Sequence, residues 1–292
     1  MKNKIVVITG ATNGIGLETA RALAAREAIV HLVGRSSTKL DQSVHALRRE
    51  TGSETVFAWR ADLSSLAETR QLAADLITSL PRIDVLINNA GALFERREVT
   101  PEGFERTWAL NHLSPFLLTN LLLSRLRASG AARVITTSSM IHSAARIEFD
   151  DVSMRKSYSG WRAYGQSKLA NILFSSALAR RVEADGITSN SLHPGMVASG
   201  FAQNNGLAYR VAMGPLYRLV ALTPAQGART PIFLATSPDV ATVTGKYFAF
   251  AKARAPSEAA RSVPDQERLW ALSVEQTGLD VTPPEPNGQP SH

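Results

Sequence analysis

Two residues of this sequence have the types and the spacing for proton chemistry: Tyr164 and Lys168, in the run Tyr164-Gly165-Gln166-Ser167-Lys168. Side chains four residues apart on a helix project from the same face, one turn from each other. A free phenol, with a pKa of about 10, is a poor proton donor or base at neutral pH. A neighbouring ammonium favours the phenolate, so we expect Lys168 to bring the pKa of Tyr164 towards the range of a general acid or base. An ordinary helix with a surface lysine and a half-buried tyrosine gives the same spacing. The surrounding motifs must therefore decide between this interpretation and a catalytic pair.

The composition indicates the number of domains and excludes several kinds of site. With 292 residues, of which 44% are hydrophobic, the chain can bury one large core, and this favours one α/β domain over two small ones. The absence of cysteine excludes disulfides, thiolate nucleophiles and cysteine metal sites. The six histidines show neither HxxxH nor HExxH spacing, so we predict no catalytic metal.

The charge and the hydropathy limit the kinds of binding partner to expect. The formal charge is +7, from 32 basic and 25 acidic residues, but the basic residues are dispersed along the chain. This dispersal predicts no nucleic-acid binding and suits a solvated surface or an anionic cofactor. No apolar run reaches membrane-spanning length, and a strand begins within the first few residues. We therefore expect a soluble, cytoplasmic protein without a transmembrane segment.

A glycine-rich turn follows the first predicted strand. Residues 5–8 form a β-branched run, residues 17–28 have helical composition, and Thr9-Gly10-Ala11-Thr12-Asn13-Gly14-Ile15-Gly16 lies between them. Glycines permit a tight bend and close backbone approach, and unpaired N–H groups at a helix N-terminus bind phosphate. The spacing is GxxxGxG rather than the common GxGxxG. The turn predicts a dinucleotide site whose candidate residues are Gly10, Thr12, Asn13, Gly14, Ile15 and Gly16.

The end of the second predicted strand (28–33) indicates the cofactor. Gly34-Arg35-Ser36-Ser37 follows it, without the acidic residue that NAD-selective folds usually place there for the ribose. Arg35 offers a guanidinium suited to a 2′-phosphate, and Ser36 offers a further donor. A solvated loop arginine is the alternative. We predict NADP(H) rather than NAD(H).

Three further strand ends supply polar or small residues. After the third strand (55–60) come Asp62 and Leu63, and the Asp62 side chain is predicted to face the adenine, to cap the next helix, or to do both. After the fourth strand (83–87), small residues and carboxamides let a cofactor lie against the backbone. These residues are Asn88, Asn89, Ala90 and Gly91. The fifth strand (133–139) ends in two hydroxyls, Ser138 and Ser139, on the side of the sheet where ligands of open α/β folds bind.

A proline interrupts the long helix predicted for residues 107–124. Pro115 removes a backbone hydrogen bond and is expected to bend or locally open the helix. Asn111 lies one turn before the bend, where its carboxamide can face a freed carbonyl or a water.

Taken in order, these motifs resemble the short-chain dehydrogenase/reductase family over roughly residues 3 to 275. Further segments resemble its retinol-dehydrogenase-like branch, namely Asn111–Phe116, Ser167–Asn171, Gly245–Phe248 and Glu267–Trp270. The resemblance implies an α/β fold of Rossmann type, with a doubly wound, mostly parallel sheet flanked by helices. It implies one NADP-binding catalytic domain at residues 1–278.

The resemblance also implies roles for the candidate residues. Tyr164 would donate the proton in carbonyl reduction and accept it in alcohol oxidation, and Lys168 would lower the pKa of Tyr164 and bind the nicotinamide ribose. Ser139, favoured over Ser138, would hydrogen-bond the substrate oxygen. Asn111 would hold a water that links Lys168 to solvent, and Asn89 would pack behind the nicotinamide side of the site.

The loop after the sixth strand, His193-Pro194-Gly195-Met196-Val197, resembles the family's contact with the nicotinamide carboxamide. The resemblance thus adds Pro194, Gly195 and Val197 as cofactor residues, and Ser199, which stands where the family often has a threonine. We expect structural rather than catalytic roles for the three histidines near these motifs, His112, His142 and His193.

The C-terminal part of the chain is more variable. Residues 207–222 are apolar, and a segment at about 200–225 is predicted to be a lid over a lipophilic substrate, with peripheral membrane contact as the alternative. A helix is predicted from Pro224 to Leu234 after a Thr223 cap, and a last strand at Tyr247–Phe250. Residues 279–292 are rich in proline and polar residues and are expected to be disordered.

The leading hypothesis is an NADP(H)-dependent oxidoreductase that acts on CH–OH donors, interconverting a lipophilic alcohol and an aldehyde or ketone. The alternative is a catalytically silent NADP(H) sensor or scaffold, against which the retained proton-relay residues argue. A third hypothesis is a sugar-nucleotide epimerase or dehydratase. Those enzymes have a different glycine spacing and a larger C-terminal substrate domain, which this chain lacks. The sequence leaves open the substrate, the direction, the stereochemistry and the oligomeric state, a homo-oligomer included.

Overall fold

A computed structural model describes residues 1–197 and 221–280 of the chain. Within these residues, eight strands form one sheet in the order β3-β2-β1-β4-β5-β6-β7-β8. The first seven strands are parallel, and β8 pairs antiparallel with β7. The strands are β1 (Ile5–Thr9), β2 (Ile29–Gly34), β3 (Val56–Arg60), β4 (Val85–Asn88), β5 (Arg133–Thr137), β6 (Thr188–His193), β7 (Tyr247–Ala249) and β8 (Lys252–Arg254).

Helices cover both faces of the sheet. They are α1 (Gly14–Ala24), α2 (Ser37–Thr51), α3 (Leu66–Ser79), α4 (Arg106–Trp108), α5 (Ser114–Leu121), α6 (Leu123–Arg127), α7 (Gly160–Arg181), α8 (Pro224–Gly227), α9 (Arg229–Thr236), α10 (Glu258–Arg261) and α11 (Val263–Thr277). Val7 of β1 joins the core that contains α3, α5 and α7, whereas Val6 and Ile8 join the core of α1, α2 and α9. Both faces of β1 are thus buried, as its β-branched run predicts. The predicted doubly wound, mostly parallel fold is confirmed.

The strand order reverses direction at β1, which has β2 on one side and β4 on the other. A reversal of this kind opens a crevice at the carboxyl ends of the strands, where open α/β sheets bind ligands. The turn at Gly10 and the segment Asn89–Gly91 both begin at this edge, so the fold brings two distant motifs together.

Pro115 opens the helix that contains it, as predicted. A π-helical segment, Ala109–Leu113, separates α4 from α5, and the N–H of Ser114 donates to the carbonyl of Ala109, five residues back. Pro115 has no N–H to continue the α-helical ladder, and the wider turn precedes it. Asn111 lies inside this segment.

The C-terminal elements differ in detail from the sequence prediction. The Thr223 cap is confirmed by a capping box with Gln226, but the predicted helix breaks at Ala228 into α8 and α9. The predicted last strand ends at Ala249, and β8 follows it. Phe250 and Ala251 form the connection with φ of 53° and 56°. Such turns usually contain Asn or Gly, so this pair gives no hairpin signal.

Other predicted segments lie partly outside the described residues. Ser199 and residues 200–220 of the predicted lid are outside them, as are residues 281–292 of the predicted tail. Leu279, at the start of that tail, packs against the core. Within residues 1–197 and 221–280, no helix is both long and apolar enough to cross a membrane.

Two buried histidines are expected to make the folded chain less stable in acid. Burial lowers the pKa of His112 to about 3 and that of His31 to about 4. An unfolded histidine titrates near 6.5, so the unfolded chain binds more protons than the folded chain between these values. The free energy of unfolding therefore has its full value above pH 6.5. It falls as the pH decreases below 6.5, by up to about 1.4 kcal/mol per pH unit for each histidine. Urea unfolding between pH 7 and pH 4.5 measures this loss.

The variant His31→Gln should lower by about one the number of protons that the chain takes up on unfolding, because it removes one buried imidazole. The free energy of unfolding should then depend less steeply on pH. His45→Gln is the matched control, since His45 is exposed. A free energy of unfolding that is constant from pH 7 to pH 4.5 would contradict the prediction.

Candidate active site

Tyr164 and Lys168 lie together on α7, at the carboxyl end of β5. Lys168 is only 2% exposed, and its Nζ donates to the carbonyl of Thr137 at 3.0 Å. The same nitrogen lies 5.5 Å from the centroid of the Tyr164 ring. Tyr164 is half-buried, so its side chain retains access to solvent. The predicted amine–phenol pair is therefore brought together at the crevice edge of the sheet.

Burial shapes the chemistry of Lys168. It lowers the pKa of the ammonium to about 8, because the charged form is poorly solvated inside the protein. The lysine is thus mainly cationic at neutral pH and titrates close above it. A Cβ atom at Gly91 would lie 3.2 Å from Nζ and 3.2 Å from Asn111 Oδ1. The glycine keeps the space between these two side chains open.

Asn111 connects three parts of the site. Its Nδ2 donates to the Ala92 carbonyl at 3.0 Å and to Ser167 Oγ at 2.9 Å, and its Oδ1 accepts from the Ala92 N–H at 2.9 Å. None of these contacts is with a carbonyl freed by Pro115, which was one of the two contacts expected. The carboxamide instead joins the π-helical segment to α7 and to the residues that follow β4.

The two serines after β5 have different contacts. Ser138 Oγ donates to the Lys168 carbonyl at 2.7 Å, and this residue is 1% exposed. Ser139 is half-buried, and its Oγ accepts from the Ile141 N–H at 3.5 Å. Because Ser139 is the acceptor in this long contact, its O–H is left to donate to another group. The geometry favours Ser139 over Ser138 as a partner for a bound oxygen.

The glycine-rich turn is joined tightly to the end of β4. Asn89 Nδ2 donates to the carbonyls of Thr9 and Gly10 at 3.0 and 3.1 Å, and the N–H groups of Asn89 and Ala90 both donate to Thr9 Oγ1. A Cβ at Gly16 would lie 2.3 Å from the Gly10 carbonyl oxygen. The described contacts of Asn89 are thus with the turn, whose shape depends on the small size of Gly16.

The first turn of α1 follows this bend directly. Asn13 is exposed at the N-cap position and makes no side-chain cap bond, and the first turn contains no acidic residue. Both features leave the amides of Gly14, Ile15 and Gly16 suited to an anion. Thr12 is close to the end of β2, since a Cβ at Gly34 would lie 2.9 Å from its Cγ2.

The residues after β2 and β3 border the same end of the sheet. Arg35 is exposed, and Ser36 caps α2 by accepting from the Lys39 N–H. Burial would raise the pKa of Asp62, but two hydrogen bonds from Ser64 to its Oδ1 and the charges of Arg106 and Arg35 lower it overall. Asp62 closes a turn ahead of α3, whose N-cap is Ser65. The Leu63 side chain lies in the core.

The loop after β6 contacts residues 222 and 227, and residue 227 also approaches the first turn of α1. Gly195, after Pro194, has a φ of 91°, and a Cβ there would lie 2.4 Å from Leu222 Cδ1. Val197 forms a bridge with Leu222. A Cβ at Gly227 would lie 2.5 Å from Val197 and 3.2 Å from Ile15. The end of α8 therefore packs over the first turn of α1.

Some residues of the site give no signal in the sequence. The Thr137 carbonyl accepts from both Lys168 Nζ and Asn171 Nδ2. A backbone acceptor of this kind could not be found from residue types. Thr9 Oγ1 is similar, because its role depends on how β1 and β4 pair.

The arrangement fits a dinucleotide cofactor. Its donors are helix N-terminal amides, serine and threonine hydroxyls and an exposed guanidinium, all of which suit phosphate oxygens. A Cβ at Gly16 would collide with the Gly10 carbonyl oxygen, and a Cβ at Gly91 would make tight contacts with Lys168 and Asn111. The adjoining amine–phenol pair can hold and move a proton at the other end of the crevice.

Comparisons with known proteins agree on one family. The family model described as short chain dehydrogenase matches residues 4–209. Human retinol dehydrogenase 13 is 39% identical over 283 residues, which cover 95% of this chain and 86% of that protein. Mouse retinol dehydrogenase 12 is 39% identical over 276 residues, covering 94% and 87%.

Solved structures are similar as well. A Mycobacterium paratuberculosis protein of uncharacterised function superposes with a TM-score of 0.78 at 32% identity, covering 96% of both chains. A short chain dehydrogenase of Shigella flexneri, solved in complex with NADP, has a TM-score of 0.69 at 26% identity and covers 86% of this chain and 98% of its own.

Proposed function

The chain belongs to the short-chain dehydrogenase family of oxidoreductases, and on that premise we propose that it interconverts a lipophilic alcohol and the corresponding aldehyde or ketone with NADP(H). The observation that supports this most is the buried ammonium of Lys168 beside the half-buried phenol of Tyr164. Both side chains lie at the edge of the sheet where the glycine-rich turn also begins.

The proposed cofactor site follows the crevice. The first turn of α1, with Gly10, Thr12 and Asn13 before it, would bind the pyrophosphate, and Arg35 with Ser36 would bind the 2′-phosphate. The adenosine side includes Asp62 and Leu63, and the nicotinamide side includes Asn89, Ala90, Gly91, Pro194, Gly195, Val197 and Ser199. When bound, the nicotinamide supplies or accepts the hydride.

The proposed proton chemistry belongs to this chain's own residues. In carbonyl reduction, the Tyr164 hydroxyl gives its proton to the substrate oxygen, and in alcohol oxidation it takes the proton back. Ser139 donates a hydrogen bond to the same oxygen and orients it. Lys168 stabilises the phenolate with its positive charge, and Asn111 is proposed to hold a water that returns protons to Lys168.

Two kinds of observation support a lipophilic substrate. Large apolar side chains are exposed beside the proposed site: Met140, next to Ser139, is 55% exposed, and Trp161, edge-on to the Tyr164 ring, is 43% exposed. The similar human and mouse proteins are named as retinol dehydrogenases. We propose that residues 1–278 form the catalytic domain, with residues at about 200–225 as its lid and residues 279–292 as a tail.

The test is a screen that follows NADPH and NADH consumption with retinaldehyde, aliphatic aldehydes, ketones and quinones. We expect turnover of an apolar aldehyde or ketone with a marked preference for NADPH. NADPH binding without turnover of any compound in the screen would instead favour a catalytically silent sensor.

The variant Arg35→Ala tests the cofactor preference. Loss of a charge-assisted bond to phosphate should raise the KM for NADPH by about 10- to 100-fold and leave the KM for NADH unchanged. Arg49→Ala is the matched control, because Arg49 is exposed at the opposite end of α2. Equal use of both cofactors, unaffected by Arg35→Ala, would contradict the assignment of the 2′-phosphate.

A further inference from the structure

One peptide unit beside Ser139 is bonded at both ends to buried imidazoles. The carbonyl oxygen of Ser139 lies 2.8 Å from His142 Nδ1, and the N–H of Met140 donates to His193 Nδ1 at 3.2 Å. His142 belongs to the short 3-10 helix Met140–Ala144, whereas His193 ends β6. The two histidines are 2% and 5% exposed. The peptide that follows Ser139 is therefore held from two different elements.

The hydrogen bonds define the state of each ring. His142 Nε2 accepts from the N–H of Ser257 at 3.2 Å, and a backbone amide can only donate. The proton of His142 is therefore on Nδ1, which donates to the Ser139 carbonyl. His193 Nδ1 accepts, so the proton of His193 is on Nε2. The bonds from the N–H groups of Ser257 and Met140 require neutral imidazoles, because a protonated ring would set an N–H against each of these N–H groups.

We propose that His142 and His193 are positioning residues that fix the direction of the Ser139 hydroxyl by clamping the peptide after it. The proposal rests on the proposed function of Ser139 as the hydrogen-bond donor to the substrate oxygen. It assigns to the two histidines a task in the reaction, beyond the structural role expected from the sequence.

The residue before Ser139 is held just as firmly. The N–H of Ser138 donates to the Leu192 carbonyl at 2.7 Å, and Ser138 Oγ donates to the Lys168 carbonyl at 2.7 Å. Ser139 is thus fixed on its N-terminal side by β6 and α7 and on its C-terminal side by the two histidines. Misplacement of a catalytic group by about 1 Å can cost about 100-fold in rate. Loosening the clamp should therefore slow turnover.

The surroundings keep the two rings neutral. Burial lowers the pKa of His142, and burial together with the nearby His142 lowers the pKa of His193 to about 4. The ring of Tyr247 on β7 packs edge-on against His142 at 5.0 Å, and burial raises the pKa of Tyr247 to about 12. His193 and Tyr247 are the titratable groups that face His142 in the described contacts. At working pH the acceptor on His193 therefore stays available to Met140.

The test compares two replacements of His193 in the full chain. Asparagine can present its Oδ1 close to the position of Nδ1, whereas leucine offers no acceptor. We expect His193→Leu to lower kcat by about 10- to 100-fold with an unchanged KM for NADPH, and His193→Asn to stay within about threefold of the wild type. His31→Leu is the matched control: it also removes a buried imidazole that accepts a hydrogen bond, from Trp59, but it lies on β2.

A double-mutant cycle with Ser139→Ala separates positioning from general destabilisation. If His193 acts through Ser139, then His193→Leu should cost little further in the Ser139→Ala background. Equal losses in both backgrounds, or equal losses for His193→Leu and His31→Leu, would overturn the proposal.

Amide hydrogen exchange of the peptide that contains residues 139–144 gives a readout independent of activity. Exchange should accelerate in His193→Leu, remain slow in His193→Asn and remain slow in His31→Leu. If the wild-type chain turns over no substrate, the proposed function fails, and exchange alone then decides the clamp. Unchanged exchange in His193→Leu would refute it.

Discussion

Replacement of Tyr164 by phenylalanine is expected to lower kcat by about 1000-fold and to leave the Kd for NADPH within about threefold of the wild type. The change removes only the hydroxyl that is proposed to exchange a proton with the substrate oxygen. The aromatic ring remains, so its packing against Trp161 and its position 5.5 Å from Lys168 Nζ are preserved. Steady-state kinetics and NADPH binding, measured on the same preparations, separate the two quantities.

The same substitution at Tyr158 provides the matched control. Tyr158 precedes α7, and its single O–H proton lies between two acceptors, the Phe94 carbonyl at 2.9 Å and Glu105 at 3.2 Å. Tyr158→Phe should therefore lower the free energy of unfolding by about 1 kcal/mol and leave kcat near the wild-type value. Wild-type kcat in Tyr164→Phe would remove the phenol from the proposed mechanism.

Replacement of Gly16 by alanine is expected to weaken NADPH binding by about 100-fold or more. The added Cβ would lie 2.3 Å from the Gly10 carbonyl oxygen and 2.6 Å from Asn89 Nδ2. Neither group can retreat easily, because Asn89 Nδ2 bonds the carbonyls of Thr9 and Gly10. The turn must shift, and the amides at the start of α1 then lose their common direction. The expected 100-fold loss of affinity corresponds to about 2.7 kcal/mol of binding free energy.

Gly165→Ala is the control for this second change. The Cβ at Gly165, one residue from Tyr164 on α7, would lie at an ordinary contact distance of 3.4 Å from the Ala145 Cβ. Alanine is the better helix former by about 1 kcal/mol, so the free energy of unfolding should not fall and NADPH binding should be unchanged. Isothermal titration with NADPH measures both variants. Equal affinity of Gly16→Ala and the wild type would mean that the turn does not bind the cofactor.

Much of the fold was predictable because the local signals agree with the global one. The β-branched run of β1, the glycine turn and the amphipathic α1 each favour the same strand–turn–helix unit. Pro115 predicted the opening of its helix because a missing N–H has a local consequence. The strand β8 was missed, since the turn at Phe250 and Ala251 uses positive φ angles at residues that seldom adopt them.

The candidate site was predictable only in part. The spacing of Tyr164 and Lys168 is local, and α7 brings both to the end of β5. The contacts that support Lys168 and Ser139 are not local. His193 lies 53 residues from Met140, and Ser257 lies 115 residues from His142. Backbone carbonyls and amides are present at every residue, so no residue type announces which of them a side chain will reach.

The measurement that tests the account most directly is the fate of a deuterium label at the transferable position of the nicotinamide. The wild-type chain is incubated with deuterated NADPH and the best apolar aldehyde of the screen, and the product is analysed by mass spectrometry. We predict an alcohol with one deuterium on the carbon that bears the hydroxyl, and none in the Tyr164→Phe reaction over the same time. Tight binding of the labelled cofactor with all of the deuterium left on it, for every carbonyl compound supplied, would contradict the account.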